Sequence, residues 1–406
     1  LTYAEIQAGK TTNDLLVFVT AQGFIYYMAV EYEKHTQSVR GLAPWALAHI
    51  GFNMDFMDTQ PWPQWSHYSG VQVGPELFIA ATAGASLYSF FIHPQYKIPM
   101  AVRVGLHPPP APTLLLTAGG SLTASSYYEY RYTLEDPFGR ESSPGPVSAI
   151  NTGTSNKAVR VSMGAPPEQH HRWWDRLHIY RTLAGGGRFY RVHTYNRVDI
   201  LTGFIYIDTA ADTVIAENDL CPYDNQNDPP RPTTFVAAHK NRLWATIEGE
   251  YTGPTYQFWV RTLEQRASIQ VSNLLKFSQF SRADQTAIDI AGESLAVTDG
   301  TELSIDVDTT DPVTGMISAG AALCVWKRYG MWLVWGDDPT TFSVQFAHKV
   351  GCVALRTVCN FKGQLTWRGP DGLYITNGAS GFIPRLISKP IEPVFDKQYP
   401  WIRVAS

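Results

Sequence analysis

The sequence predicts an all-β chain, a β-propeller interrupted by an inserted β-sandwich. The first observation behind this is composition. Charged residues make up 17% of the 406 residues and aromatics 13%, against roughly 25% charged in ordinary soluble domains. With 32 Gly and 27 Pro, the chain suits short strands and tight turns better than long solvated helices rich in Glu and Lys. The second is periodicity: apolar residues alternate with period two or form short β-branched and aromatic runs, punctuated by Gly, Asp and Pro. The third is a recurring hairpin pattern on both sides of a middle third bounded by Pro-rich breaks. A 44% apolar content is enough for a sizeable core and excludes disorder and fibrous repeats.

Taken in order, the hairpin pattern first appears as Val17–Val19 leading through Gly23 into Phe24–Tyr26. The one candidate helix follows, Pro44 to Met57, where Trp45, Leu47, Ala48 and Phe52 share a helical face. The pattern returns as Leu77–Ile79 with Gly84 and Leu87–Tyr88. Residues 107–112, His-Pro-Pro-Pro-Ala-Pro, then read as a stiff linker, and 222–232 form a second break without apolar periodicity. About 110 residues lie between, a common size for one sandwich.

Strands within that stretch are legible. Tyr128, Tyr130 and Tyr132 alternate with Glu129 and Arg131 and predict a strand with one aromatic face. Asp136-Pro137-Phe138-Gly139 reads as a turn. Val159–Met163 alternates, and Arg176–Arg181 sets Leu177 and Ile179 against His178 and Tyr180. Gly185–Gly187 joins this strand to Phe189–Tyr195, and Phe204–Ile207 closes the module.

Downstream the hairpin pattern recurs at Leu243–Thr246, at Leu295–Gly300 with Leu303 and Ile305, at Leu323–Trp326 with Gly330–Leu333, and at Leu365–Trp367 with Gly372–Ile375. Such a hairpin cannot bury its own face, so neighbours must stack as propeller blades. The expected domains are N-terminal blades over 1–106, the sandwich over 107–225, further blades over 226–383 and a C-terminal segment over 384–406. A sandwich with neighbouring termini is easily accommodated between blades.

A net charge of −4 excludes a global basic field and with it non-specific gripping of DNA. Cys221, Cys324, Cys352 and Cys359 are too few for a disulfide scaffold and form no C-x-x-C pair, so they read as reduced core residues. No run approaches 18 apolar residues and the start lacks a signal pattern, so a soluble chain without a membrane anchor is expected. It begins at Leu1, which implies processing or a start inside a longer product.

No G-x-S-x-G, H-E-x-x-H, P-loop or dinucleotide fingerprint occurs. His170 and His171 are adjacent, but consecutive strand residues point to opposite faces, so a polar loop is the better reading. Asp306, Asp308 and Asp311 precede Gly315 in a calcium-like alternation, yet Pro312 and the glycine position break the EF-hand layout, and a solvated loop is expected. Glycan cleavage is the enzymatic alternative. It would use carboxylates such as Asp55, Asp58 and Glu76 across a central channel, beside the Trp-rich segment 54–67, whose aromatics read better as packing of a blade interface than as a sugar platform. No catalytic residue, metal or cofactor is assigned. The candidate interface residues are Trp62 and Trp65 in that segment, and Trp173 and Trp174 in the sandwich. The last two read either as an anchor or as one buried Trp with a partly exposed neighbour.

The runs Gly105–Thr113, Ala118–Tyr128, Tyr130–Thr133, Asp136–Pro144, Ile179–Thr182 and Gly186–Phe189 together resemble the fibronectin type III-like module of phage virion proteins. His239–Trp244, Trp335–Phe342, Val350–Ala354 and Gly369–Ile375 resemble the propeller of tail nozzle (tail tubular) proteins of short-tailed phages. The resemblance spans roughly residues 70 to 380 and lies in strand-and-turn patterns. It implies a structural virion protein of the phage tail, forming a hexameric ring around the DNA exit channel. Portal-proximal adaptor and tail fibre proteins would be its partners, and DNA would pass through transiently. This chain departs from the pattern in its short N-terminal portion, which lacks the platform domains nozzle proteins often carry.

Such a conduit must not hold phosphate strongly, which the mild acidity satisfies. Ring closure needs a heterologous interface, expected to bury over roughly 1,000 Å² per neighbour, and low charge with abundant aromatics suits one.

Overall fold

In a computed structural model of the chain, the described residues are 15–19, 24–32, 39–42, 48–53, 68–81, 87–95, 99–155, 157–164, 174–197, 204–222, 229–231, 233–247, 268–271, 301–306, 311–337, 340–354, 357–361, 363–377 and 382–389. The chain is all-β. It forms two compact units, one from residues 1–91, 231–276 and 300–406, the other from 92–230 and 277–299.

The first sheet contains β1 (Leu15–Val19), β2 (Phe24–Tyr32), β3 (Val39–Leu42) and β4 (Ala48–Asn53). β1 pairs along one edge of β2, with Val17 opposite Tyr27. β3 and β4 share the other edge end to end. The helix expected over Pro44–Met57 is therefore corrected: its centre is β4. His49, Ile50 and Phe52 fit an alternating strand as well as a helix, Gly51 penalises helix by about 1 kcal/mol, and β2 offers an open edge whose N–H and C=O groups need partners. A meander follows, β5 (Tyr68–Val73), β6 (Glu76–Ala81), β7 (Tyr88–Ile92) and β8 (Pro99–Arg103), paired in sequence order.

The next seven strands make a sandwich: β9 (Thr113–Thr117), β10 (Tyr127–Glu135), β11 (Ser148–Asn151), β12 (Ala158–Met163), β13 (Arg176–Thr182), β14 (Phe189–Asn196) and β15 (Phe204–Asp208). One sheet has the order β11-β10-β13-β14 and the other β15-β12-β9, so the connections cross between sheets as in a Greek key. Of the four tyrosines of β10, Tyr128, Tyr130 and Tyr132 are fully buried and Tyr127 is exposed; the buried three join Leu134, Val159, Val161, Trp174, Leu177 and Ile179 in one core. The turn after β10 closes as its sequence requires: Gly139 N donates to Asp136 O at 3.0 Å. Asp136 Oδ1 also accepts from Phe138 N and Arg140 N. A single-turn helix, α1 (Asp212–Ile215), follows β15.

Among the described residues three more sheets follow, each a four-stranded antiparallel meander, the unit of a propeller blade. They are β16 (Val236–His239), β17 (Arg242–Thr246), β18 (Ser268–Val271) and β19 (Thr301–Ser304); β20 (Val313–Ala319), β21 (Ala322–Lys327), β22 (Met331–Trp335) and β23 (Ser343–His348); and β24 (Cys359–Phe361), β25 (Gln364–Gly369), β26 (Gly372–Asn377) and β27 (Arg385–Leu386). β16 lies beside β5 and β6, with Val236 N donating to Ser69 Oγ at 3.2 Å. The sheets that flank the sandwich in sequence are thus neighbours in space.

Stacking explains why these hairpins are apolar on both faces. Every residue of β21 is buried. Leu323 and Val325 enter one core with Trp244, Trp332 and Val334, whereas Cys324 and Trp326 enter the next with Met331, Leu333 and Trp367. Period two thus divides one strand between two interfaces, and the Trp326 and Trp367 rings meet at 5.5 Å.

Candidate interaction surface

The inward alternation of the three-strand sheet is orderly, with Val159, Val161 and Tyr206 facing the sandwich core. Its outward face is not the polar one that solvated sheets present. Arg160 pairs with Leu115 on one side and Ile207 on the other, and Ser162 pairs with Thr113 and Ile205. This gives two rows of three: Leu115–Arg160–Ile207 and Thr113–Ser162–Ile205. Leu115, Ile205 and Ile207 are 59%, 45% and 51% exposed, and Arg160 at the centre is exposed too. Ile205 and Ile207 neighbour each other on β15, and Leu115 stands across β12 with Arg160 between them, so the face is more apolar than a solvated sheet presents, and exposed apolar clustering of this kind marks contact surfaces.

Two strand sequences create the patch. β9 is Thr-Leu-Leu-Leu-Thr, so alternation must turn one leucine outward. β15 is Phe-Ile-Tyr-Ile-Asp, with apolar residues of both parities. Its register is set by Asp208, which points inward and is fully buried. Asp208 Oδ2 accepts from Arg181 Nη1 at 2.8 Å and from Tyr130 OH at 2.9 Å, and Oδ1 accepts from Ala210 N at 3.0 Å. Arg181, also fully buried, donates further to Ala210 O and to Asp212 Oδ1, each at 2.9 Å, and lies 5.1 Å over the Tyr128 ring.

The electrostatics reinforce this lock. Burial acts to lower the Arg181 pKa, but Asp208, Tyr130 and Asp212 outweigh it, so the guanidinium is held charged. Burial, then the charge of Asp208, lifts the Tyr130 phenol far above its usual range and keeps it a donor. Burial with Asp208 pushes Tyr206 up to about 12. A one-residue slip of β15 would turn Ile205 and Ile207 inward, but it would also carry Asp208 away from Arg181, leaving that buried guanidinium with Asp212 alone. Breaking a buried ion pair costs up to about 3–5 kcal/mol, comparable to what burying two isoleucines returns at about 1.5–3 kcal/mol each, before the cost of overfilling a packed core is added. The isoleucines stay outside.

Of the interface residues expected from sequence, Trp62, Trp65 and Trp173 lie outside the described residues. Trp174, at 6% exposure, belongs to the sandwich core, with Arg197 5.1 Å over its ring, as the reading of one buried Trp expects rather than the reading of an anchor. Among the carboxylates of the glycan alternative, Asp55 and Asp58 lie outside the described residues. Glu76 is buried and accepts from Ser89 Oγ at 2.8 Å, so it faces no open channel.

His170, His171 and Asp308 are outside the described residues as well. Lys327 Nζ donates to the Asp306 backbone carbonyl at 2.7 Å, and the Asp311 carboxylate is engaged by the protein itself, its Oδ2 accepting from Tyr329 N at 2.9 Å. Cys221, Cys324 and Cys352 are buried free thiols, whereas Cys359 is exposed, contrary to its expected core position, because β24 is a short edge strand. The sequence reading missed Leu115, Arg160, Ile205 and Ile207. The signal was present in two strands that stay apolar at successive positions while their shared partner, β12, alternates.

No family model matches the chain, and no curated protein does. Among solved structures, it is similar to a candidate 6-phosphogluconolactonase from Bacteroides uniformis ATCC 8492, at 9% identity and a TM-score of 0.33 over 91% of this chain and 79% of that one. It is similar to another from Bacteroides fragilis NCTC 9343, at 11% identity and 0.31 over 92% and 82%. It is also similar to the β-propeller domain of Cps50 (Swd1) from Myceliophteria thermophila, at 10% identity and 0.21 over 90% and 96%. Likeness this distant carries no inference about chemistry or assembly.

Proposed function

We propose that the chain is a structural subunit of a short-tailed phage tail, assembling as a ring that forms part of the conduit for DNA and docks adaptor and fibre proteins. The observation that carries this reading is the apolar patch of Leu115, Ile205 and Ile207 around Arg160 on the sandwich. A patch whose exposure is enforced by a buried ion-pair network suits a protein that works by binding its neighbours. The resemblance to nozzle proteins supplies the tail and the sixfold ring. A net charge of −4 suits a wall past which DNA slides, because few counterions are released from phosphate against it.

On this account the protein acts mechanically and turns over no substrate. Immunogold labelling of intact particles with antibody to the full chain tests the placement. Label at the end of the tail is expected. Particles that carry no label, or a purified monomer that hydrolyses host polysaccharide, contradict it.

A further inference from the structure

The apolar patch has a mate on the same sandwich. The segment after β15 carries Val214 at 67% exposure and Leu220 at 45%, with Glu217 exposed between them. Val214 and Glu217 are three residues apart along one continuing turn, so they share its outer side. The segment is firmly held: Ile215 is buried beneath it, Asn218 Nδ2 donates to Arg191 O at 2.7 Å, Arg191 N donates to Asp219 O at 2.9 Å, and Leu220 bridges to Tyr190 of β14. Asp219 is engaged by Arg191. Glu217 and Arg160, by contrast, have no ion-pair or hydrogen-bond partner among the described residues.

We infer that the Leu115–Arg160–Ile207 face of one copy seats the Val214–Glu217–Leu220 segment of a second copy, in a head-to-tail contact between sandwiches. The inference rests on reading that face as an interaction surface, and it names the occupant. Charge selects it. Self-association of the face about a twofold axis near its centre brings two Arg160 guanidiniums together as water leaves, a repulsion that nothing on the face offsets. The Val214 segment offers the opposite charge, the Glu217 carboxylate with Val214 and Leu220 three residues to either side in the chain, to meet a guanidinium flanked by aliphatic side chains. Contact between two different patches is heterologous and therefore propagates, as a ring requires and an isolated twofold dimer does not.

Cross-linking of the full chain tests this. In a Cys359→Ser background, copies carrying Ile207→Cys are mixed with copies carrying Val214→Cys, so that Arg160 and Glu217 both stay in place, treated with a short bismaleimide, and the linked peptides are identified by mass. Links between position 207 of one copy and 214 of another are expected, well above those to a Thr154→Cys control. In a second arm the same pair reports the effect of charge. Arg160→Glu should lower their link yield about tenfold, and Glu217→Arg on the mating copy should restore it. Links from position 207 to 207 overturn the head-to-tail contact, as do links from the face to a different segment; either leaves the face itself an interaction surface. If no position on the face links to any copy above the control, both the contact and the surface reading fail.

Discussion

Asp208 shows how one buried residue decides what a surface looks like. Because it is fully buried and held by Arg181 and Tyr130, β15 cannot shift, and its isoleucines face solvent. Replacing Arg181 with Met should destabilise the sandwich by about 3–5 kcal/mol, since it leaves a carboxylate buried without its cation. The double variant Arg181→Met with Asp208→Leu should recover most of that loss. Its β15 should then hold its register less tightly, because Tyr206 is left to favour Asp208's parity without the ion pair. Hydrogen exchange of β10, β13 and β15 in the full chain measures both effects. A single variant as protected as the parent would contradict this role for the network. At this scale the sequence was partly legible. Alternation alone identified Tyr128, Tyr130 and Tyr132 as one face. Asp208 was not, because a carboxylate ending a strand reads as solvent-facing until its partner, 27 residues earlier in the chain, is known to lie beneath it.

Strands and turns followed the sequence wherever a local pattern had a single solution. The Asp136–Gly139 turn, the β13–β14 hairpin and the β21–β22 and β25–β26 hairpins are where alternation and turn residues placed them. Residues 44–57 had two solutions. The spacing of Trp45, Leu47, Ala48 and Phe52 fits a helix, and the open edge of β2, invisible in sequence, selected a strand. Blade stacking also sets demands that no strand shows by itself. Gly351 lies where an added Cβ would come within 2.3 Å of the backbone of Lys327 and Arg328, and its carbonyl accepts from Trp367 Nε1 at 3.1 Å. Gly351→Ala should therefore force the last two sheets apart and cost about 1–3 kcal/mol, lowering Tm by several degrees in scanning calorimetry. An unchanged Tm would mean that this approach is not tight.

At the level of the whole molecule, composition first indicated only an all-β chain poor in charge. Much of its aromatic content proves to lie in cores: Trp244, Trp326 and Trp367 are fully buried between sheets, and Trp174 fills the sandwich. The surface feature that suggests assembly is aliphatic. Sequence reasoning looked for it among tryptophans because those dominate interface hot spots in general. The central claim is that the chain works as a ring-forming wall. Electron microscopy of the purified full chain tests this most directly. A closed ring with sixfold symmetry and an open axial channel is predicted, its subunits joined through their sandwiches. Isolated single copies at every concentration imaged, or a closed assembly without a channel, would contradict it.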